Sequence, residues 1–272
     1  MDGWIDLQVN GYAGVDFNAP GLTVEKVLAV TEKLAADGTV GYLPTLVTGD
    51  PEMLIGMVRT VMEARRKYAI CEKNILGFFL EGPFISDKPG AVGTHPVEWV
   101  HAPDMGLFNR FQDAAEGLVR MVNVAAEVPG MPAFVRAVTA EGVHVGQRDM
   151  SPAEVRAIVG ARCEIGLSIT AVEQVAAIDR RVVDAIGIGP VYDARKTKAD
   201  AAAAMGPDGL REIVARIPDI ANCAIGGITL ANGAEVMAAG AKGLAVVSAF
   251  SKSEDPYAVA RQFSLLFDHC GQ

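Results

Sequence analysis

The feature that most constrains this chain is an alternation, sustained from end to end, of short apolar runs with longer amphipathic stretches. Runs that read as strands lie at residues 4–10, 40–47, 75–84, 118–126, 143–147, 164–168, 185–191, 221–228 and 244–250. Helical spacing fills the gaps. In 23–37, Val24, Val27, Leu28, Val30 and Leu34 recur on one face before Gly38. In 51–67, Asp50 stands at the N-cap and Pro51 at the first helical position. The stretch 151–160 opens Ser151-Pro152-Ala153-Glu154, a capping box with a leading proline, and 210–216, 232–240 and 256–267 complete the set. Strands that are apolar on both faces need cover on both, the condition of a parallel sheet flanked by helices. Repeated βα units over 272 residues predict an α/β protein, a single-domain TIM-type (βα) barrel. The open doubly wound sheet is the alternative, disfavoured because no GxGxxG follows the first run. Eight strands are expected of such a barrel and nine runs are counted; pattern alone leaves the ninth open.

Composition narrows the functions. Half of the residues are hydrophobic and 21% are charged, enough for a large core without disulfides or metal. Lys plus Arg is 24 and Asp plus Glu is 33, a net charge of −9 with no basic run, which argues against nucleic acid or an anionic membrane as partner. A local anion site stays open, because backbone N–H groups can make one at any net charge. No signal segment or membrane-spanning run is read, so a cytoplasmic protein is expected. Cys71, Cys163, Cys223 and Cys270 lie far apart and are expected to be reduced thiols. There are only four histidines, at 95, 101, 144 and 269, which limits histidine-based catalysis and metal binding.

Three places carry candidate chemistry. Glu81 ends the third apolar run, where a carboxylate can be a metal ligand or an acid/base, or a loop anchor. Gly226-Gly227 and Ser248 end the eighth and ninth runs. Glycines let backbone amides approach an anion and the serine can donate, so phosphate or sulfate is the expected partner; a tight turn is the plainer reading. His144 reads as a hydrogen-bonded histidine within the sheet. The long Pro/Gly-rich stretch from 86 to 104 is a candidate functional loop.

Several longer motifs resemble known families. Residues 8–18, Tyr42-Leu43-Pro44-Thr45-Leu46-Val47-Thr48, Leu80-Glu81-Gly82-Pro83-Phe84, Gly93-Thr94-His95 and Val124-Ala125-Ala126-Glu127 resemble N-acetylglucosamine-6-phosphate deacetylase over roughly 2–140. The resemblance implies a divalent metal, often Zn²⁺, with Glu81 as ligand, Gln8 and Asn10 in place of a His-x-His pair, and His95 in a substrate loop. Phe79 stands where that family has histidine, and its later metal-binding histidines and catalytic Asp are absent beyond residue 140.

From Gly142 the resemblance is to thiamine-phosphate synthase, over roughly 142–267. It is carried by Gly142-Val143-His144-Val145-Gly146-Gln147-Arg148-Asp149, Ile165-Gly166-Leu167-Ser168, Ile188-Gly189-Pro190-Val191, Thr197-Lys198-Ala199-Asp200, Ala224-Ile225-Gly226-Gly227-Ile228 and Val246-Val247-Ser248-Ala249. It implies Asp149 as a Mg²⁺ ligand, Ser168 on pyrophosphate, Thr197 and Lys198 on the substrates, and Gly227, Val247 and Ser248 on a thiazole phosphate. The reaction implied joins a pyrimidine pyrophosphate to a thiazole phosphate with loss of pyrophosphate. The family's Gln-x-Arg-x-Lys and Asn-Asp motifs are missing, and Arg195 replaces the first Thr of Thr-x-Thr-Lys.

The two resemblances meet near residues 139–143. The expectation drawn is a chimeric barrel, engineered or recombined, with a deacetylase-like half (1–140) and a synthase-like half (141–272). It would lack efficient catalysis, retain a phosphate site, and hold Glu81, Asp149 and Lys198 as vestiges. A Mg²⁺-dependent thiamine-phosphate synthase and a Zn²⁺-dependent deacetylase are the alternatives.

Overall fold

The computed structural model describes residues 4–89, 91–125, 127–138, 142–146, 150–161, 163–194 and 202–270; Asp149, Thr197 and Lys198 lie outside them. The chain forms two compact units, Met1–Val138 and Thr139–Gln272.

The first unit contains β1 (Trp4–Val9), β2 (Gly11–Tyr12), β3 (Val15–Asp16), α1 (Val24–Ala36), β4 (Thr39–Val47), α2 (Pro51–Lys67), α3 (Ala69–Asn74), β5 (Phe78–Glu81), α4 (Met105–Ala114), β6 (Val119–Val122) and α5 (Met131–Ala137). Its main sheet runs β1-β4-β5-β6, every pair parallel, and β2 and β3 form a small antiparallel hairpin. β4 is the central apolar run, buried from Gly41 through Leu46. Helix starts follow their chemistry: Thr23 accepts from Lys26 N, Asp50 from Glu52 N, and Asp104 from Gly106 N and Leu107 N. Tyr42, fully buried, anchors the core; its hydroxyl lies 2.9 Å from Thr31 Oγ1, which donates to Val27 O at 2.8 Å. Phe84, Phe108 and Phe134 pack as tilted and edge-on rings 4.6 and 5.7 Å apart.

The second unit contains β7 (Gly142–Val145), α6 (Pro152–Val159), β8 (Glu164–Ile169), β9 (Ala185–Ile188), α7 (Gly206–Arg216), β10 (Ala221–Ile225), α8 (Gly233–Ala238), β11 (Leu244–Ala245), α9 (Ser248–Ser251) and α10 (Pro256–Cys270). The sheet order β11-β10-β9-β8-β7 is parallel throughout. The capping box at Ser151 and Glu154 is formed in full. Arg156 sews the sheet margin, donating to Gly160 O, Cys163 O, Val182 O and Asp184 Oδ2.

Each of the nine apolar runs contains a parallel strand, four in one sheet and five in the other, and among the described residues no pairing closes either sheet. The last run is corrected in extent. Only Leu244–Ala245 is strand, and Ser248 opens a helix instead of ending a strand. Helices α3, α4 and α5 fell outside the helical stretches read from sequence. Each is short, so few buried residues mark its face: Leu107, Phe108 and Phe111 in α4, Met131 and Phe134 in α5.

Candidate functional site

Parallel register places the carboxyl ends of the second sheet's strands along one edge. Val145 pairs with Leu167, Ile169 with Ile188, Ile188 with Ala224, and Ile225 with Ala245. Ser168, Gly189, Gly226-Gly227 and Val247-Ser248 therefore follow one another at that edge, where ligands of parallel α/β sheets bind.

The loops after β9 and β10 interlock. Val191 N donates to Ile225 O at 2.9 Å and Tyr192 N to Gly226 O at 3.0 Å. The approach is too close for side chains. A Cβ on Gly189 would sit 2.1 Å from Ile225 O, and one on Gly226 2.6 Å from Pro190 Cα. Gly226 and Gly227 also have φ of +99° and +64°, which favours glycine at both. Asn232 holds the turn, donating from Nδ2 to Gly227 O at 3.1 Å and accepting at Oδ1 from Thr229 N at 2.7 Å. Tyr192 donates to Glu235 Oε2 at 2.7 Å. Burial, then that bond and the nearby carboxylate charge, push its hydroxyl up to about 12, so it stays a donor at neutral pH. Val247 is 67% exposed beside this turn. Ser248 is half-buried at the first position of α9, where an N–H has no acceptor within the helix.

On the neighbouring strands His144 Nε2 lies 2.9 Å from Ser168 Oγ. The hydrogen-bonded reading of His144 is thus realised, with a partner that sequence did not identify.

In the first unit, Gln8 Nε2 and Asn10 Nδ2 both donate to Glu81 Oε2, at 2.9 and 3.2 Å. His95 Nδ1 lies 2.9 Å from Thr48 Oγ1, and that hydroxyl is 3.5 Å from Glu81 O. The structure thus brings together Gln8, Asn10 and Glu81, with His95 linked to Glu81 through Thr48. A Zn²⁺ site needs three or four protein donors, and here both amides meet one oxygen of the Glu81 carboxylate, Oε2. Among the described residues no group of three or more His, Cys, Asp or Glu side chains is placed to hold a metal. Gln8, Asn10 and Glu81 offer a single carboxylate, too few donors for a Zn²⁺ site, and Asp149, the Mg²⁺ ligand that the resemblance implies, lies outside the described residues.

Strands in parallel order with helical cover define an α/β protein of the TIM-like class. A thiamine monophosphate synthase family model matches residues 107–250. The chain is 43% identical over 133 residues to the thiamine-phosphate synthase of Methanospirillum hungatei, covering 49% of this chain and 64% of that protein. It is 46% identical over 130 residues to that of Chloroflexus aurantiacus, covering 48% and 59%. N-acetyl-D-glucosamine-6-phosphate deacetylase from Mycobacterium smegmatis has a similar fold, with TM-score 0.51, 21% identity, and 100% of this chain and 70% of that chain covered. The chain belongs to the thiamine monophosphate synthase family. It spans about three fifths of the length of these curated relatives.

These findings correct the expectation of a chimeric, engineered barrel without efficient catalysis. The family match begins at residue 107 and runs unbroken through 139–143, where two unrelated halves were expected to join. The synthase relatives, at 43 and 46% identity, support an enzyme. No helix among the described residues is long and apolar enough to cross a membrane.

Proposed function

We propose that this chain is a transferase of the thiamine-phosphate synthase type. It would join a pyrimidine pyrophosphate to a thiazole phosphate by forming a carbon–nitrogen bond, with pyrophosphate leaving on the electron pair of the broken carbon–oxygen bond. The observation that carries this reading is the row Ser168, Gly189, Gly226-Gly227, Val247-Ser248 at one sheet edge, within the segment shared with the synthases. In this reading Gly226, Gly227, Val247 and Ser248 hold the thiazole phosphate, and the interlocked β9 and β10 loops keep that turn in shape before substrate arrives. Ser168 contacts the pyrophosphate. Asp149, Thr197 and Lys198 carry the roles the family assigns them, with Mg²⁺ neutralising the leaving group when bound.

The test is formation of thiamine phosphate from both substrates with Mg²⁺, followed by chromatography. Turnover is expected, and it falls on replacing Ser168 or Lys198 with alanine. A folded protein that forms no product over prolonged incubation overturns the proposal.

A further inference from the structure

We infer that His144 is a positioning residue that aims the Ser168 hydroxyl at the anion; the inference rests on the proposed function. The imidazole lies in a slot left by a glycine. His144 on β7 pairs with Gly166 on β8, and Ser168 pairs with Gly187 on β9. A Cβ on Gly166 would fall 2.6 Å from His144 Nδ1 and 3.5 Å from Cε1. One on Gly187 would touch Cε1 at 3.7 Å, an ordinary van der Waals contact. Neither glycine has a positive φ, so backbone conformation does not demand them. A glycine inside a strand costs stability relative to alanine, and at Gly166 the gain is room for the ring. Core packing does not explain that room, because His144 is exposed.

The slot fixes which nitrogen meets the serine. Nδ1 faces Gly166, and Nε2 lies 2.9 Å from Ser168 Oγ. If Ser168 donates to Nε2, it turns lone pairs toward an incoming anion. If Nε2–H donates to Oγ, the hydroxyl hydrogen points away from the ring and can meet a pyrophosphate oxygen. An anionic ligand selects the second arrangement.

The experiment compares the full chain with His144→Leu, His144→Gln, Ser168→Ala and the double variant His144→Leu/Ser168→Ala. His144→Leu and Ser168→Ala are each expected to raise KM for the pyrimidine pyrophosphate about tenfold, the weight of one hydrogen bond to a charged group. KM for the thiazole phosphate should hold. The double variant should be no worse than either single one. His144→Gln, which keeps a donor, should recover most of the loss. Multiplying effects in the double variant, or a glutamine variant as impaired as the leucine one, overturns the inference. Two further readings do not need turnover: inorganic pyrophosphate affinity by calorimetry across the same variants, and the His144 tautomer in the unaltered protein by nitrogen-15 NMR. Nε2–H is expected, and an Nδ1–H tautomer refutes the inference even if a variant misfolds. Absent turnover with the expected pyrophosphate pattern intact would refute the synthase reading alone.

Discussion

Replacing Gly226 with alanine tests whether the phosphate-side turn is held by interlocked backbone. Two separate strains add. The residue sits at φ +99°, and an L-residue forced into left-handed conformation costs about 1–2 kcal/mol. The new Cβ also meets Pro190 Cα and Cβ at 2.6 Å, about 1 Å inside the favourable separation of carbon atoms. The β9 loop cannot simply retreat. Val191 N and Tyr192 N are bound to Ile225 O and Gly226 O at 2.9 and 3.0 Å, and stretching one of these bonds costs about 0.5–1.5 kcal/mol. Together these give about 1.5–3.5 kcal/mol, of the size seen at overpacked sites. In urea that is a fall in midpoint of about 1–2 M for a slope near 2 kcal/mol per M. Gly206→Ala is the control: φ is +71° there, but nothing lies within 4 Å of the added carbon, so only the conformational cost of about 1–2 kcal/mol applies. The assay is urea unfolding followed by circular dichroism, with phosphate affinity measured on each folded variant. If Gly226→Ala is no more destabilising than Gly206→Ala, the interlocking does not constrain the turn and the reasoning fails.

Three further outcomes follow from the structure. Tyr42→Phe removes a buried hydroxyl 2.9 Å from Thr31 Oγ1 and should cost about 0.5–1.5 kcal/mol in urea unfolding; an unchanged midpoint would show that the bond adds nothing. The Ser151 hydroxyl, followed by its backbone N–H, holds Glu154 below the ordinary carboxylate value of 4.5. Because the folded value is depressed, this contribution to stability is present above pH 4.5 and fades as pH falls through the lowered value. Ser151→Ala should move the Glu154 titration upward by carbon-13 NMR, and an unmoved titration would refute the capping box as its cause. Cys71 is fully buried and burial raises its thiol, so it should resist alkylation at pH 8 in the native chain and react once unfolded in urea. Native labelling of Cys71 as fast as in the unfolded chain would contradict this.

Much of the fold was legible because the relevant signals are local. Apolar runs bounded by glycine, proline and caps located the nine strands of the two parallel sheets but not the β2–β3 hairpin, and Asp50 and Ser151 marked helix starts that the structure realises as side-chain caps. The short helices α4 and α5 were not legible. Their faces carry only two or three buried residues, too few for a period to emerge, and the edge-on contact of Phe108 with Phe134 joins them in space, not in sequence. Reading each half's missing motifs as lost function failed for a different reason: a motif's absence says little about a site assembled from residues far apart in sequence.

By itself, the sequence determined that strands would be parallel and helix-covered, that Gly226-Gly227 would lie at the end of one strand, and that Glu81 would end another. Those properties depend on hydrophobic period and chain order alone. The tertiary structure decided what meets what. Strand register set His144 beside Ser168 across the space left by Gly166. It also bound Gly226 to the loop after β9, and set the amides of Gln8 and Asn10 on Glu81 Oε2. These pairings join residues 24 to 73 positions apart. Only strand pairing and the other non-local contacts choose among the many partners that each residue's chemistry would allow.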